Sequence, residues 1–241
     1  MRIRSLFAIL GTVVVLALLA VLVMVGTDRR PSSPRTPVDP DSPPPAVAAL
    51  PAGTDAAGWA RATARDTGIP ERTLAAYASA EVRQRERTPQ CGLSWSTLAG
   101  IGSIESRHAR IGGARPGSDG RADPPIVGIA LDGDNGTRRV TDTDGGRLDG
   151  DPVLDRAVGP MQFLPETWAR HGADGNDDGV ADPQQVDDAA LAAAGYLCSS
   201  GRDVAEGDDW WDGVLAYNAS DSYARDVWSA AAGYASSVRP Q

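Results

Sequence analysis

The chain has 241 residues, a net charge of −9 and 41% hydrophobic residues, enough for one sizeable domain but not two large ones. All 23 basic residues are arginine, which excludes a lysine Schiff base or a P-loop lysine, and the acidic balance excludes nucleic acid as an expected partner. With only two histidines (His108, His171) and two cysteines (Cys91, Cys198) a structural zinc site is not expected; a Ser-His-Asp arrangement stays open, but neither histidine sits in a recognisable triad context, and carboxylate chemistry is what remains.

Leu6 to Val25 is a run of twenty residues without a charge, preceded by Arg2 and Arg4. As a helix it spans about 30 Å, the thickness of a hydrocarbon core. Val23-Met24-Val25-Gly26 offers no good small-x-small cleavage site, so residues 1–27 read as a retained transmembrane anchor, with a secreted form only if this segment is removed. Residues 28–54 are too proline-rich for helix or sheet and read as a disordered linker. Residues 55–241 are the working domain.

Helical signals dominate that domain. Pro70 suits a first turn, with Leu74, Tyr77, Ala78 and Val82 at 3–4 spacing through Arg87. Ser94 is a natural N-cap for a helix carrying Trp95, Leu98, Ile101 and Glu105. Between Gly112 and Asp155 the texture changes to Gly, Asp and Pro, with short β-like pieces at Ile126–Ala130 and Arg138–Thr141. Helices follow at Asp187–Cys198, Asp209–Tyr217 and Ser220–Tyr234. The expected fold is mainly α with a loop-rich insertion. Cys91 and Cys198 fall at a helix start and a helix end; they form either a disulfide, as an exported context favours, or two buried thiols.

Glu105 carries the first chemical signal. On a helical projection it falls within about 20° of Leu98, in the middle of the apolar face. A carboxyl group there loses hydration and its pKa rises, as a general acid requires, unless an arginine such as Arg107 or Arg110 pairs with it. The segment Asp174-Gly175-Asn176-Asp177-Asp178-Gly179-Val180 places oxygen ligands at 1, 3 and 5, glycine at 6 and a carbonyl at 7, the pattern of a calcium loop. Gln185 stands where the usual Glu falls, so Asp182 or Asp188 is left to supply the last carboxylate. The acidic stretch Asp132–Asp151 lacks this register and reads as turns of the binding loop, with ion binding as the lesser alternative.

Gly68-Ile69-Pro70, Leu74-Ala75-Ala76-Tyr77, Ile104-Glu105-Ser106, Gly159-Pro160-Met161-Gln162-Phe163, the calcium-type loop and Ala216-Tyr217-Asn218 occur in this order. Taken together, residues 57–234 resemble the membrane-bound lytic murein transglycosylases of the B type, in their actinobacterial form. The resemblance implies a lysozyme-like (α+β) fold, an extracytoplasmic domain at the cell membrane, glycan strands of peptidoglycan as substrate, and a structural Ca2+ site. It implies Glu105 as the single acid/base, cleaving between N-acetylmuramic acid and N-acetylglucosamine and leaving 1,6-anhydromuramyl ends. It also implies Gln162, Tyr217, Asn218, Tyr77 and Ser106 as substrate-side residues, and Asp174, Asn176, Asp178, Val180 and Asp188 as metal ligands. Because the enzyme and the wall are both anionic, arginines near the groove are expected to act locally. Two rivals remain: a hydrolytic muramidase with Asp144 or Asp149 as second carboxylate, and a non-catalytic wall-binding module.

Overall fold

In the computed structural model, which describes residues 42–45, 47–134 and 138–238, the chain folds around one nearly all-buried helix. The expected anchor at 1–27 and most of the expected linker lie outside the described residues. Among the described residues no helix is long and apolar enough to cross a membrane.

Among the described residues seven α-helices supply most of the regular secondary structure. They are α1 (Ala56–Thr67), α2 (Glu71–Arg87), α3 (Trp95–Ser106), α4 (Pro165–His171), α5 (Val186–Leu197), α6 (Gly207–Tyr217) and α7 (Asp221–Ser237). Two antiparallel pairs add a little sheet. β1 (Arg115–Pro116) pairs with β2 (Ala122–Asp123), and β3 (Val127–Ala130) pairs with β4 (Arg156–Val158) across an irregularity. The mainly α class with few strands agrees with the sequence expectation. The piece expected at Arg138–Thr141 forms no named strand: Thr141 makes an isolated bridge with Leu154, and Val140 exchanges backbone bonds with Leu131 and Asp155.

α3 is central because its residues Trp95 to Gly102 are all buried and mostly small or apolar. Gly100 permits the close crossing of α7: a Cβ there would sit 2.7 Å from the Val227 carbonyl oxygen. α2 lies against α1, α3 and α5, and the Ala-rich α5 is buried along most of its length. The α3 N-terminus is capped from outside. The fully buried Glu81 accepts the Trp95 N–H at 2.7 Å, while Arg85 stands 3.5 Å away and compensates its charge. Cys91 and Cys198 are joined as a disulfide, which ties the entry to α3 to the end of α5.

The last part of the stretch read as linker is seated on this helical body. The Trp211 and Trp228 indoles donate to the carbonyls of Ser42 and Pro43, each at 2.8 Å. Leu50 is buried and its N–H reaches Glu81 at 2.7 Å. Proline denies this segment a helix or sheet, but not carbonyls that the indoles can use.

Candidate active site

Glu105 lies in the last turn of α3 and is half-buried. Burial pushes its carboxyl up to about 7, and the opposing influence is a hydrogen bond from Tyr223, whose hydroxyl donates to Glu105 Oε1 at 2.5 Å. Burial and the neighbouring Glu105 and Tyr217 raise the Tyr223 hydroxyl far above its ordinary range, so it serves only as a donor. No arginine pairs with Glu105 among the described residues, so the ion-pair alternative for this residue is not realised. Tyr223 was not among the sequence candidates. The available signal was its place on the same face of α7 as Val227 and Ala231, both buried against α3.

α3 ends in an unusual turn. Arg107, His108 and Ala109 all have positive φ, at 53°, 62° and 62°, a cost of about 1–3 kcal/mol each. Ser106 stabilises this turn: its hydroxyl accepts the Ala109 N–H at 2.8 Å and donates to the Pro160 carbonyl at 2.6 Å. Below it, His108 Nδ1 is 3.3 Å from the Tyr77 hydroxyl, and His108 Nε2 is 2.7 Å from the Tyr234 hydroxyl. Burial drives His108 down to about 3, so the imidazole is neutral and bridges two phenols. These positions correct two substrate-side expectations. Tyr77 has no exposed surface and its hydroxyl is engaged with His108; Ser106 is equally buried, with both capacities of its hydroxyl used inside the fold. Both residues position the α3 terminus instead of facing a ligand.

The Gly159-Pro160-Met161-Gln162-Phe163 motif forms a tight loop closed by paired bonds between Val158 and Phe163, at 2.8 and 3.0 Å. Gly159 has φ +77°, and a Cβ there would fall 1.7 Å from the Pro183 carbonyl oxygen, so only glycine fits. Gln162 also takes a positive φ, 50°, and its amide donates to the Gly159 carbonyl at 2.9 Å. At the end of α6, Tyr217 donates to the Met161 carbonyl at 2.7 Å, and its hydroxyl pKa is raised by burial first and then by Glu105. The Tyr217 ring continues an edge-to-face run from Trp168 through Phe163 to Tyr196 and His171. Asn218 follows as the exposed, extended residue that ends α6. Met161 and Phe163 are buried beneath, as packing residues. Glu105, Tyr217 and Tyr223 thus share one electrostatic environment, joined through Met161 and Pro160 to the loop that carries Gln162.

The rival second carboxylates are occupied elsewhere. Asp144 accepts the N–H groups of Arg147 and Leu148, and Asp149 those of Asp151 and Arg156. Asp142, Asp144 and Asp155 bring carboxylate oxygens within 4.8 Å of one another, with Asp155 buried and bonded to Thr143.

In the Asp174 loop the side chains of Asp174, Asn176 and Asp178 bend back onto the loop's own backbone. Asp174 accepts from the Asp178 and Gly179 N–H groups, Asn176 from Asp178, and Asp178 from Val180. Asp188 is fully buried and accepts the N–H of Gly175 at 2.7 Å and of Asp182 at 2.9 Å. Burial and the nearby Asp174 charge push its carboxyl up to about 6. Asp182, the other candidate for the last carboxylate, is paired with Arg121. Arg83 fixes the loop on α2 through the Gly175 carbonyl and Asp177.

Residues 155–212 match a family model described as the transglycosylase SLT domain. The match begins at the residue before β4 and runs into α6, covering the Gly159–Phe163 motif and the Asp174 loop; Glu105 and Tyr223 lie outside it. No curated protein and no solved structure matches the chain.

Proposed function

We propose that the chain is a peptidoglycan lytic transglycosylase, of the B type and actinobacterial form, with a lysozyme-like domain and Glu105 as its single acid/base. The observation that carries this reading is a half-buried carboxyl held near 7 by burial, with a tyrosine as its hydrogen-bond partner and no arginine paired with it among the described residues. Such a group is protonated often enough near neutrality to donate, and basic enough afterwards to accept. The match of residues 155–212 supports the substrate class.

In the proposed reaction, Glu105 gives its proton to the oxygen linking N-acetylmuramic acid to N-acetylglucosamine as the anomeric C–O bond breaks. The substrate's own N-acetyl oxygen stabilises the positive anomeric carbon. Carboxylate Glu105 then takes the proton of the muramyl 6-hydroxyl, whose oxygen closes on the anomeric carbon to give the 1,6-anhydro ring. No water is consumed. Gln162, Tyr217 and Asn218 are proposed to flank the sugar, from the loop and helix end that Tyr217 ties together. This departs from the two-carboxylate scheme of most glycosidases, and the use of Asp144 and Asp149 in closing their own turns favours it over the muramidase alternative.

The Asp174 loop is proposed to hold a structural Ca2+ through Asp174, Asn176, Asp178, the Val180 carbonyl and Asp188. The fit rests on side-chain oxygens bent back onto the loop at three alternating positions and on the proximity of Asp188 to Asp174, whose mutual repulsion a cation relieves. Residues 1–27 are proposed to anchor the protein in the cell membrane with this domain outside.

Digestion of purified peptidoglycan followed by mass spectrometry tests the reaction. The expected products carry anhydro ends, one water lighter than hydrolysed ends, and Glu105→Gln releases none. Reducing ends from the parent chain indicate the muramidase; retained cleavage in Glu105→Gln removes Glu105 from the chemistry.

A further inference from the structure

We infer that an open hollow between the end of α1 and β1 binds the free carboxylate of a short peptide stem, an inference that rests on the proposed wall substrate. The hollow, about 490 Å³, is lined by Arg65, Arg110 and Arg115 together with Ala64, Pro70 and Pro116, and by no acidic residue. This is an uncommon concentration of charge in a chain whose net balance is −9. Arg61, Arg72, Arg83, Arg121 and Arg156 each have a carboxylate partner, while among the described residues Arg87, Arg107 and Arg202 stand singly without one and outside this hollow. Among the described residues none of the three arginines in the hollow has one.

Two of them are nevertheless held in place. Arg110 follows the strained turn after Glu105 and donates from Nε to the Arg107 carbonyl and from Nη2 to the Gly68 carbonyl, both at 3.2 Å. Arg115 donates to the Ala114 carbonyl at 2.8 Å. A guanidinium carries five N–H donors, so each keeps several for an incoming oxyanion, and its planar fork suits a carboxylate. The apolar walls select further. Pro70 and Pro116 suit a short aliphatic peptide ending in a carboxylate better than a fully hydrated phosphate. An acidic protein working on an acidic polymer needs such a local positive site to hold its substrate against long-range repulsion.

The test measures binding of diacetyl-lysyl-D-alanyl-D-alanine, its C-terminal amide and inorganic phosphate to the full 241-residue chain by calorimetry. The free acid is expected to bind, the amide about tenfold more weakly, and joint Arg110→Gln and Arg115→Gln substitution to weaken the acid by about tenfold or more. The amide comparison needs no variant, so misfolding of the double variant cannot rescue the idea. Glu105→Gln is expected to bind the peptide as the parent chain does, which separates this site from the acid/base. Equal binding of acid and amide, or phosphate binding without peptide binding, overturns the assignment; the latter gives the hollow to a phosphate-bearing polymer. Wall cleavage that depends on Glu105 alongside absent peptide binding overturns this inference alone, whereas peptide binding without any wall cleavage overturns the proposed reaction.

Discussion

The Tyr223 hydroxyl and the Glu105 carboxyl meet at 2.5 Å where α7 crosses the end of α3, and that contact sets the chemistry available to the carboxyl. The bond lowers the Glu105 pKa while burial raises it, and burial dominates. Tyr223→Phe removes the opposing contribution and leaves the shape of the site intact. The alkaline limb of the cleavage profile is then expected to move to higher pH, with the rate at neutral pH reduced about tenfold by lost orientation of the acid. A pH–rate comparison of the two proteins checks this; an unmoved limb separates Tyr223 from catalysis.

Glu105 also costs stability. Its folded pKa, about 7, lies above the unfolded value, so the folded state binds more protons between about 4.5 and 7. Any contribution to stability is complete below the unfolded value and is lost as pH rises through about 7. Glu105→Gln is therefore expected to be more stable than the parent above pH 7, by on the order of 1 kcal/mol, and to match it near pH 4. Denaturant melts at the two pH values measure the difference, and a variant less stable at both would contradict it.

Gly159→Ala is expected to cost several kcal/mol. It combines a left-handed backbone with a Cβ 1.7 Å from the Pro183 carbonyl oxygen, so the loop carrying Gln162 has to move. Thermal unfolding gives the loss in stability, and wall digestion should show cleavage falling with it.

Breaking the Cys91–Cys198 bridge, which spans 107 residues of sequence, is expected to destabilise the protein by about 4–5 kcal/mol on the chain-entropy account. Melting of the Cys91→Ser, Cys198→Ser double variant measures it. The parent should show no free thiol without reductant.

Removal of divalent cations is expected to lower the melting temperature, with recovery on adding Ca2+ and not Mg2+ because the loop offers mostly protein oxygens. Asp174→Asn should abolish the response. A melting temperature indifferent to chelation rejects the Ca2+ proposal.

Much of the helical frame was legible in the sequence because periodic apolar residues commit a segment to one face. α2, α3 and α5 to α7 follow from that signal, and so does the shielded position of Glu105 among Leu98, Ile101 and Gly102. α1 escaped because only Ala60 and Thr63 are buried, too sparse a stripe to read. Tyr223 escaped for a different reason: its partner is 118 residues away, and only the helix crossing reveals the contact. The family resemblance puts Tyr77 and Ser106 on the substrate side, because both belong to the motifs that carry it. Burial decides otherwise, because a phenol or hydroxyl with no surface answers to its internal partners.

Ser106 is linked at once to the Ala109 N–H and the Pro160 carbonyl, so the terminus of α3 and the loop of Gln162 share a common mount. Tyr217 bolts the end of α6 to the neighbouring residue of that loop. A disturbance that tilts one of these pieces carries the others along, preserving the spacing between acid and amide. Adjustment during turnover then falls to the incoming polymer, which must bend to a fixed jig.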